Sequence, residues 1–549
     1  MNKHIVPPVT IIAVATVLVF YGLYTLGQTE AHIVSFTFLA STVLLCVLML
    51  FLIAISVVDK LPYRKSKGQR CRKYMQSVIR FTLCITVGAV IGSYAAYVLH
   101  RQRNPPQTLV SLAAVRTVIA ELTGEPVPAG TDYYRVPVCL IVCTTGRGEQ
   151  FSASGAVQLM VPAALVRGTY SGGITRIGET LRSEKTVPLL RSTAAFAEYL
   201  QNPQVCRFYV RGMRLSAQGK FDKTGTVFYA RPVQPVFLGW NFPLSRLRAF
   251  FRFAFMRLLY DWGDAGGLLL ALLAADKAFL SAACVTAFRN AGLAHILALS
   301  GMHLSLIGTA ALQGGRIFEH KNRASWFSLA AVFLFVWFAG AAPSLNRALG
   351  MVCIAAAGKA LGLKPPPFSV LCAMLTAHIA IAGVEAVTLG FMLSYGACAG
   401  IILFGDACAR LSAGKIPPAL AGSVSASIGA QLFTAPIVIS AIGTIAAAGI
   451  IASCLVSPLV SIFLIAGLIC IPIALICPPI SPLLGYILNA AYRIIFAAAD
   501  FFARFPIIAP ETGTGRFVFA ATAFAVGMCC VVLASVRSKR TAANLPRLT

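Results

Sequence analysis

The chain has 549 residues, 58% of them hydrophobic and 12% charged, with a mean hydropathy of +0.79. Soluble domains carry roughly 25% charged residues, so this composition excludes an ordinary soluble enzyme or binding module and points to a chain held largely in lipid. Lys and Arg number 46 against 18 Asp and Glu, a formal net charge of +28; part of such an excess marks short cytoplasmic loops, and the rest suits a polyanionic partner.

A helix crosses the bilayer core with about 20 apolar residues. Val9–Leu26 meets this and reads as a signal-anchor helix, because the run is too long for a cleaved leader and no A-x-A site follows. Ile33–Val58 is the second span. The loop holding Lys60, Arg64, Lys65, Lys67, Arg70, Arg72, Lys73 and Arg80 against the single acid Asp59 is cytoplasmic by the same bias. Phe81–Leu99 then crosses outward and closes an N-terminal unit over 1–99.

Over 100–235 the apolar runs shorten and turn residues multiply. Tyr133–Cys143, Ala156–Val166 and Cys206–Leu215 read as strands separated by Gly-rich breaks. The expectation is an extracytoplasmic β-rich domain. Its basic residues, Arg207, Arg211, Arg214 and Lys220 foremost, are candidates to meet a polyanion. Cys139, Cys143 and Cys206 lie in this polar region, so an external location allows one disulfide, with Cys139 and Cys206 the candidate pair. The other cysteines sit mostly in apolar stretches as small hydrophobes, and no Cys/His cluster has zinc spacing, so neither a metal nor a cofactor is expected.

The stretch 236–262 contains Leu244–Tyr260, where Arg246, Arg248, Arg252 and Arg257 interrupt Leu and Phe; on a helix this is amphipathic and basic, suited to the membrane interface. Residues 263–537 form the main transmembrane domain. Gly266–Ala275 is apolar but too short to span, and suits a buried or re-entrant segment. Nine spans follow at His295–Leu312, Trp326–Ala342, Asn346–Leu363, Phe368–Val384, Val387–Phe404, Ala419–Ile442, Ile445–Ile469, Leu483–Phe502 and Phe517–Val536. Ile445–Pro482 holds either one long span or two short ones. Arg537, Lys539 and Arg540 place the tail, 538–549, in the cytoplasm. The fold class is thus a polytopic α-helical membrane protein of about 12 spans with an inserted β domain, located in the cytoplasmic (inner) membrane.

Polar side chains within spans cost free energy and mark function by default. The densest group is Asp276, Arg289, Asn290, His295, Ser300, Gly301 and His303; Ser300 and His303, three apart, share a helix face. A second group is Ser344, Asn346 and Arg347 after Pro343, a third Ser394 and Tyr395, and a fourth Gln431. Spread over several spans, these groups suit a shared hydrated path. Ser300 with His303 on one helix lacks a third member of a catalytic triad, so no catalytic residue is assigned.

The residues Ala291-Gly292-Leu293-Ala294-His295, Ser300-Gly301-Met302-His303, Pro343-Ser344 through Arg347-Ala348, and Gly390-Phe391-Met392-Leu393-Ser394 stand in the order of the motifs of the ComEC family of competence proteins, and the stretch from about Leu244 to Phe505 resembles that family. The resemblance implies a channel through which single-stranded DNA crosses the cytoplasmic membrane in natural transformation, with the polar residues above lining it. It further implies that the β domain is OB-like and receives DNA, and that the partners are DNA-receptor competence proteins, a cytoplasmic helicase-like motor and a separate nuclease. No Gly-x-x-x-x-Gly-Lys-[Ser/Thr] loop is present to supply energy. Family members often end in a metallo-β-lactamase-like domain; no His-x-His-x-Asp-His arrangement occurs here, and Ala275 stands where the family often has Gly. The chain therefore reads as a form lacking that domain, and not as an enzyme. Two alternatives stay open: a small-solute or envelope-polymer transporter, and an intramembrane hydrolase using Ser300 or His303.

Overall fold

The computed structural model describes residues 8–26, 68–103, 107–162, 212–315, 321–412 and 418–509, apart from 125–126, 130–131, 223–224, 232–234, 278–279, 341 and 447, with isolated positions at 515, 518, 522 and 525. The expected span Ile33–Val58, most of Phe517–Val536, the first part of the basic loop up to Lys67, Arg207, Arg211 and Cys206 lie outside the described residues.

Helix α1 (Pro8–Leu26) pairs with the long α2 (Gly68–Arg103). Their contact is built on Gly88 and Gly92, four apart. A Cβ on Gly92 would stand 2.7 Å from the Thr16 carbonyl oxygen. Small residues at this spacing let two helix backbones approach where lipid supplies no hydrophobic drive.

The β domain follows: β1 (Gln107–Thr108), β2 (Val115–Leu122), β3 (Val127–Ala129), β4 (Tyr133–Thr145), β5 (Gln150–Ser154), β6 (Ala156–Pro162), β7 (Met213–Phe221), β8 (Val227–Ala230) and β9 (Val236–Trp240). Five of these strands close on themselves. β2 pairs with β4, β4 with β6, β6 with β8 in parallel, β8 with β7, and β7 again with β2. The two-residue alternation of the strands explains the closure: Val118, Ala120, Val136, Val138, Leu159, Val161, Leu215, Ala217 and Phe228 all turn inward and are buried. The strand β9 pairs with β7, so the sheet extends beyond Pro235, where the domain was expected to end. The following helix starts only at Pro243, where the fixed φ of proline suits the first helical position.

That helix, α3 (Pro243–Tyr260), is not wholly interfacial. Arg246 is exposed, but Arg248 and Arg252 are buried and donate to the carbonyl oxygens of Phe338 and Ala339. Those carbonyls end α7 (Lys321–Ala339), whose C-terminus carries partial negative charge. The two arginines therefore answer a helix end, which their sequence spacing among Leu and Phe did not reveal.

Helix α4 (Gly263–Ala274) is the hub of the helical part, with every residue from Ala265 to Ala274 buried, as its short apolar run predicts. A Cβ at Gly266 would overlap the Leu259 carbonyl oxygen, so glycine permits the tight turn from α3 into α4. Its free N-terminus is answered by α14 (Ser481–Ala503): the Asn489 side-chain oxygen accepts from the Ala265 amide at 3.1 Å, and its nitrogen donates to the Trp262 and Gly485 carbonyls. At the other end Ala275 adopts φ 58, the only non-glycine at positive φ among the described residues. That conformation is the reason glycine is favoured there, and the alanine carries the strain.

The remaining helices are α5 (Ala282–Asn290), α6 (Gly301–Gly315), α8 (Pro343–Ala360), α9 (Pro367–Ile381), the four-residue α10 (Gly383–Ala386), α11 (Leu389–Ser412), α12 (Pro418–Ala441) and α13 (Gly449–Ile476), with a short β10–β11 ribbon (Ile445–Ala446 and Ile507–Ile508). The stretch 445–482 resolves into one long helix, α13, that accommodates Pro458 and Pro472, followed by a single-turn connector. The span expected from His295 begins instead at Gly301, because residues 291–300 form turns.

Among the described residues five helical stretches are long and apolar enough to cross a membrane: Pro8–Thr25, Thr82–Leu99, Val424–Ala441, Gly449–Ile476 and Pro478–Ala503. Along α13 and α14 large apolar side chains, including Ile462, Ile469, Ile476, Leu483 and Ile487, face outward. Meanwhile Arg248, Arg252, His303, Arg347 and His378 are buried. Apolar surface outside and polar groups inside is the arrangement lipid demands.

Candidate polar site in the helical domain

The start of α6 explains the spacing of Ser300 and His303. The His303 Nδ1 accepts a hydrogen bond from the Ser300 backbone N–H at 3.0 Å and lies 3.1 Å from the Ser300 hydroxyl. A third-position side chain reaching back to the amide of the residue before the helix is the geometry of a capping box, with His in the place of Glu or Gln. An amide can only donate, so Nδ1 is the acceptor and the ring proton resides on Nε2. The Nε2 atom is buried and has no hydrogen-bond partner. Because the Nδ1 lone pair is already engaged by the amide, the pair is poorly arranged as a nucleophile and base, which argues against the hydrolase alternative.

Helix α8 brings Ser344, Asn346 and Arg347 to this turn. Pro343 opens the helix, and the Ser344 hydroxyl donates to the Leu299 carbonyl at 2.5 Å, fastening α8 to the segment just ahead of Ser300. Arg347 is buried. One of its terminal nitrogens stands 3.5 Å from where a Cβ on Gly301 would be, so its guanidinium rests against the first turn of α6. On its other side it lies over the Tyr395 ring, 5.9 Å from Cζ to the ring centre. Its Nε has no hydrogen-bond partner.

Two residues not singled out from the sequence complete the cluster. Tyr395, on α11, is linked through its hydroxyl to His378 Nδ1 on α9 at 3.1 Å. His378 Nε2 lies 2.9 Å from Glu385 Oε2, and the Asn346 side-chain nitrogen lies 3.3 Å from both Glu385 oxygens. Glu385 is on α10, which α1 secures where the Tyr21 hydroxyl donates to the Ala386 carbonyl. The sequence carried one signal: His378 stands inside the apolar run Phe368–Val384, where an ionisable residue is unusual. Glu385 had none, because it falls between two apolar runs and reads as loop.

The other expected site residues lie apart from this cluster. Asp276 forms an ion pair with Arg252 at 3.8 Å, beside the turn at Ala275. Gln431 belongs to a packing point where α12 meets the start of α13. Its amide nitrogen is 3.2 Å from a Cβ placed on Gly449, and Gly449 in turn abuts Gly292. Gly292 has φ +75 and lies 3.1 Å, measured from a built Cβ, from the Gly449 Cα, so only glycine fits the turn. Arg289 and His295 are exposed, Asn290 is half-buried, and the His295 ring nitrogen lies 3.2 Å from the Gly292 carbonyl oxygen. Ser394 Oγ is buried without a hydrogen-bond partner. Among the described residues no group of three His, Cys, Asp or Glu is placed to hold a metal ion.

In the β domain the outer faces of four strands align Lys220, Tyr229, Met160 and Arg135, partner to partner, across β7, β8, β6 and β4. Lys220, Tyr229 and Arg135 are exposed, and Tyr133 meets Tyr229 edge to face with ring centres 5.9 Å apart. Arg214 is exposed too, but it donates to Asn241, which donates to Glu121. Part of its charge is therefore answered within the sheet. Cys143 points into the barrel, where burial pushes its thiol up to about 11.

The fold and site together define a membrane protein whose helical domain buries a connected polar cluster among apolar helices. Residues 272–537 match the family model described as Competence protein. The cluster from Ser300 to Tyr395 lies wholly within this stretch. The chain is similar to ComE operon protein 3 of Bacillus subtilis (strain 168), with 28% identity over 142 residues. That alignment covers 26% of this chain and 18% of the relative. No solved structure matches the chain.

Proposed function

We propose that the chain carries single-stranded DNA across the cytoplasmic membrane during DNA uptake, as a multi-pass inner-membrane protein of about 12 spans. The observation that carries this reading is the competence-family match over the same residues that hold the buried Ser300–Arg347–Tyr395 cluster. A phosphate backbone must stay solvated as it crosses lipid. Scattered hydroxyl, amide and arginine donors meet that need with sites weak enough for release.

The five-stranded closed ring supports reading the β domain as an OB-like barrel, a fold that binds oligonucleotides on its outer strands. Aromatic faces interleaved with cations hold single strands with little sequence preference, and Lys220, Tyr229, Tyr133 and Arg135 are so arranged. Arg214 and Lys220, with Arg207 and Arg211, extend the basic character. Energy and strand degradation fall to partners: a cytoplasmic helicase-like motor, a separate nuclease and DNA-receptor competence proteins.

The test is uptake of labelled double-stranded DNA by cells with the protein, without it, and with His303→Ala. DNA reaching the periplasm in all three but the cytoplasm only with the intact protein supports the reading. Cytoplasmic entry unchanged by deletion sinks it.

A further inference from the structure

The geometry points to a binding site for one phosphodiester oxyanion of a nucleic-acid backbone, formed by Arg347, the Ser300 hydroxyl and the Nε2–H of His303 at the N-terminal end of α6. It rests on the DNA-uptake reading above and names the groups that meet the backbone.

Three independent features converge. First, no hydrogen bond or ion pair reaches the Arg347 guanidinium among the described residues, although the side chain is 9% exposed. A buried charge without partners is costly. Here the Tyr395 face holds the cation through its ring, which stabilises the charge without consuming any N–H donor. The ring is itself anchored by His378 and Glu385, so the guanidinium is oriented while its planar fork stays free. Second, His303 is 0% exposed, its Nδ1 is occupied by the Ser300 amide, and its Nε2–H is an unused donor. Third, Ser300 and His303 stand at the first turn of α6, whose amides carry partial positive charge, and Arg347 of α8 abuts that turn at Gly301. A cation against a helix N-terminus is unfavourable until an anion joins them.

The charge balance identifies the ligand class. With Nδ1 accepting, His303 is uncharged, so the site offers the single positive charge of Arg347, matched by the single negative charge of a phosphodiester. Glu385 is tied through His378 to the Tyr395 ring that carries Arg347, and its negative charge weakens anion affinity. Weak binding is what passage requires.

The test uses full-length protein in a maltoside detergent, with phosphorus NMR line broadening of dimethyl phosphate as the readout and neutral trimethyl phosphate as the control. Wild type should broaden dimethyl phosphate selectively. Arg347→Gln should weaken that binding roughly tenfold or more, with Arg347→Lys and His303→Gln in between. Gel filtration identifies any variant that misfolds, and Arg347→Lys, which keeps the charge, carries the test if Arg347→Gln does. Equal broadening by wild type and a folded Arg347 variant, or equal broadening of trimethyl phosphate, overturns the site. Displacement by a short oligothymidylate supports a nucleic-acid backbone as the source; displacement by short-chain phosphatidylglycerol but not by the oligonucleotide overturns that assignment. If the NMR result holds but deletion leaves cytoplasmic DNA entry unchanged, the oxyanion site stands and the DNA-uptake reading falls.

Discussion

Arg347 lies over the Tyr395 ring with its Cζ 5.9 Å from the ring centre, and the Tyr395 hydroxyl is tied to His378 at 3.1 Å. The aromatic face and the hydroxyl therefore do separable things. Tyr395→Phe keeps the platform but strips His378 Nδ1 of its partner, which should cost about 1–3 kcal/mol. Tyr395→Leu removes the platform as well and should add about 1–2 kcal/mol. Thermal unfolding of the purified variants measures both steps; equal midpoints for the two would show that Arg347 gains nothing from the ring.

Glu385 serves Asn346 and His378 together, from α8 and α9. Glu385→Ala leaves both without an acceptor and should cost about 2 kcal/mol or more. Glu385→Gln retains one acceptor oxygen and should recover much of that loss. A glutamine variant as unstable as the alanine variant would mean that charge, rather than hydrogen bonding, is what the site needs.

Ala275 ends α4 at φ 58, where a Cβ is strained by about 1–2 kcal/mol. Ala275→Gly should raise stability by about 1 kcal/mol, less the entropy glycine adds to the unfolded chain. A lowered unfolding midpoint would contradict the strain argument.

Cys143 faces the barrel interior and its thiol is raised from 9.0 to about 11 by burial. The sign follows from linkage. The folded state resists ionisation, so its contribution to stability is complete below the ordinary thiol range and declines as pH rises from about 9 towards 11. Cys143→Ser should flatten that alkaline loss, read as the midpoint of β-domain unfolding against pH. Native protein at pH 8 should also label slowly with maleimide at this position.

Tyr133 and Tyr229 meet edge to face beside Lys220 and Arg135. Replacing either tyrosine with alanine should weaken single-strand binding by about 1–3 kcal/mol with little effect on its salt dependence. Lys220→Ala should instead reduce the salt slope by roughly one. Anisotropy titrations at several salt concentrations separate the two effects, and a tyrosine variant that binds like wild type would move the DNA surface elsewhere.

The long apolar helices, the buried character of α4 and the likeness of residues 272–537 to the competence family could be read from the chain, because each is local. Hydropathy is a running property of about 20 residues, strand alternation repeats every two, and the Ser300-Gly301-Met302-His303 spacing is itself one helical turn. Partnership across helices was not legible in this way. Arg248 and Arg252 read as an interfacial stripe until α7 placed its last carbonyls against them. Glu385 read as a loop acid until α8, α9 and α10 converged on it. Asp276 and Gln431, grouped with the path by polarity alone, turned out to face Arg252 and Gly449. Closure of five strands into a ring likewise depends on which edges meet. Sequence determined which segments are long and apolar and where polar groups interrupt them. Only the tertiary structure decided which of those groups share a site, because a buried hydrogen bond depends on side chains from distant segments arriving within about 3 Å of one another.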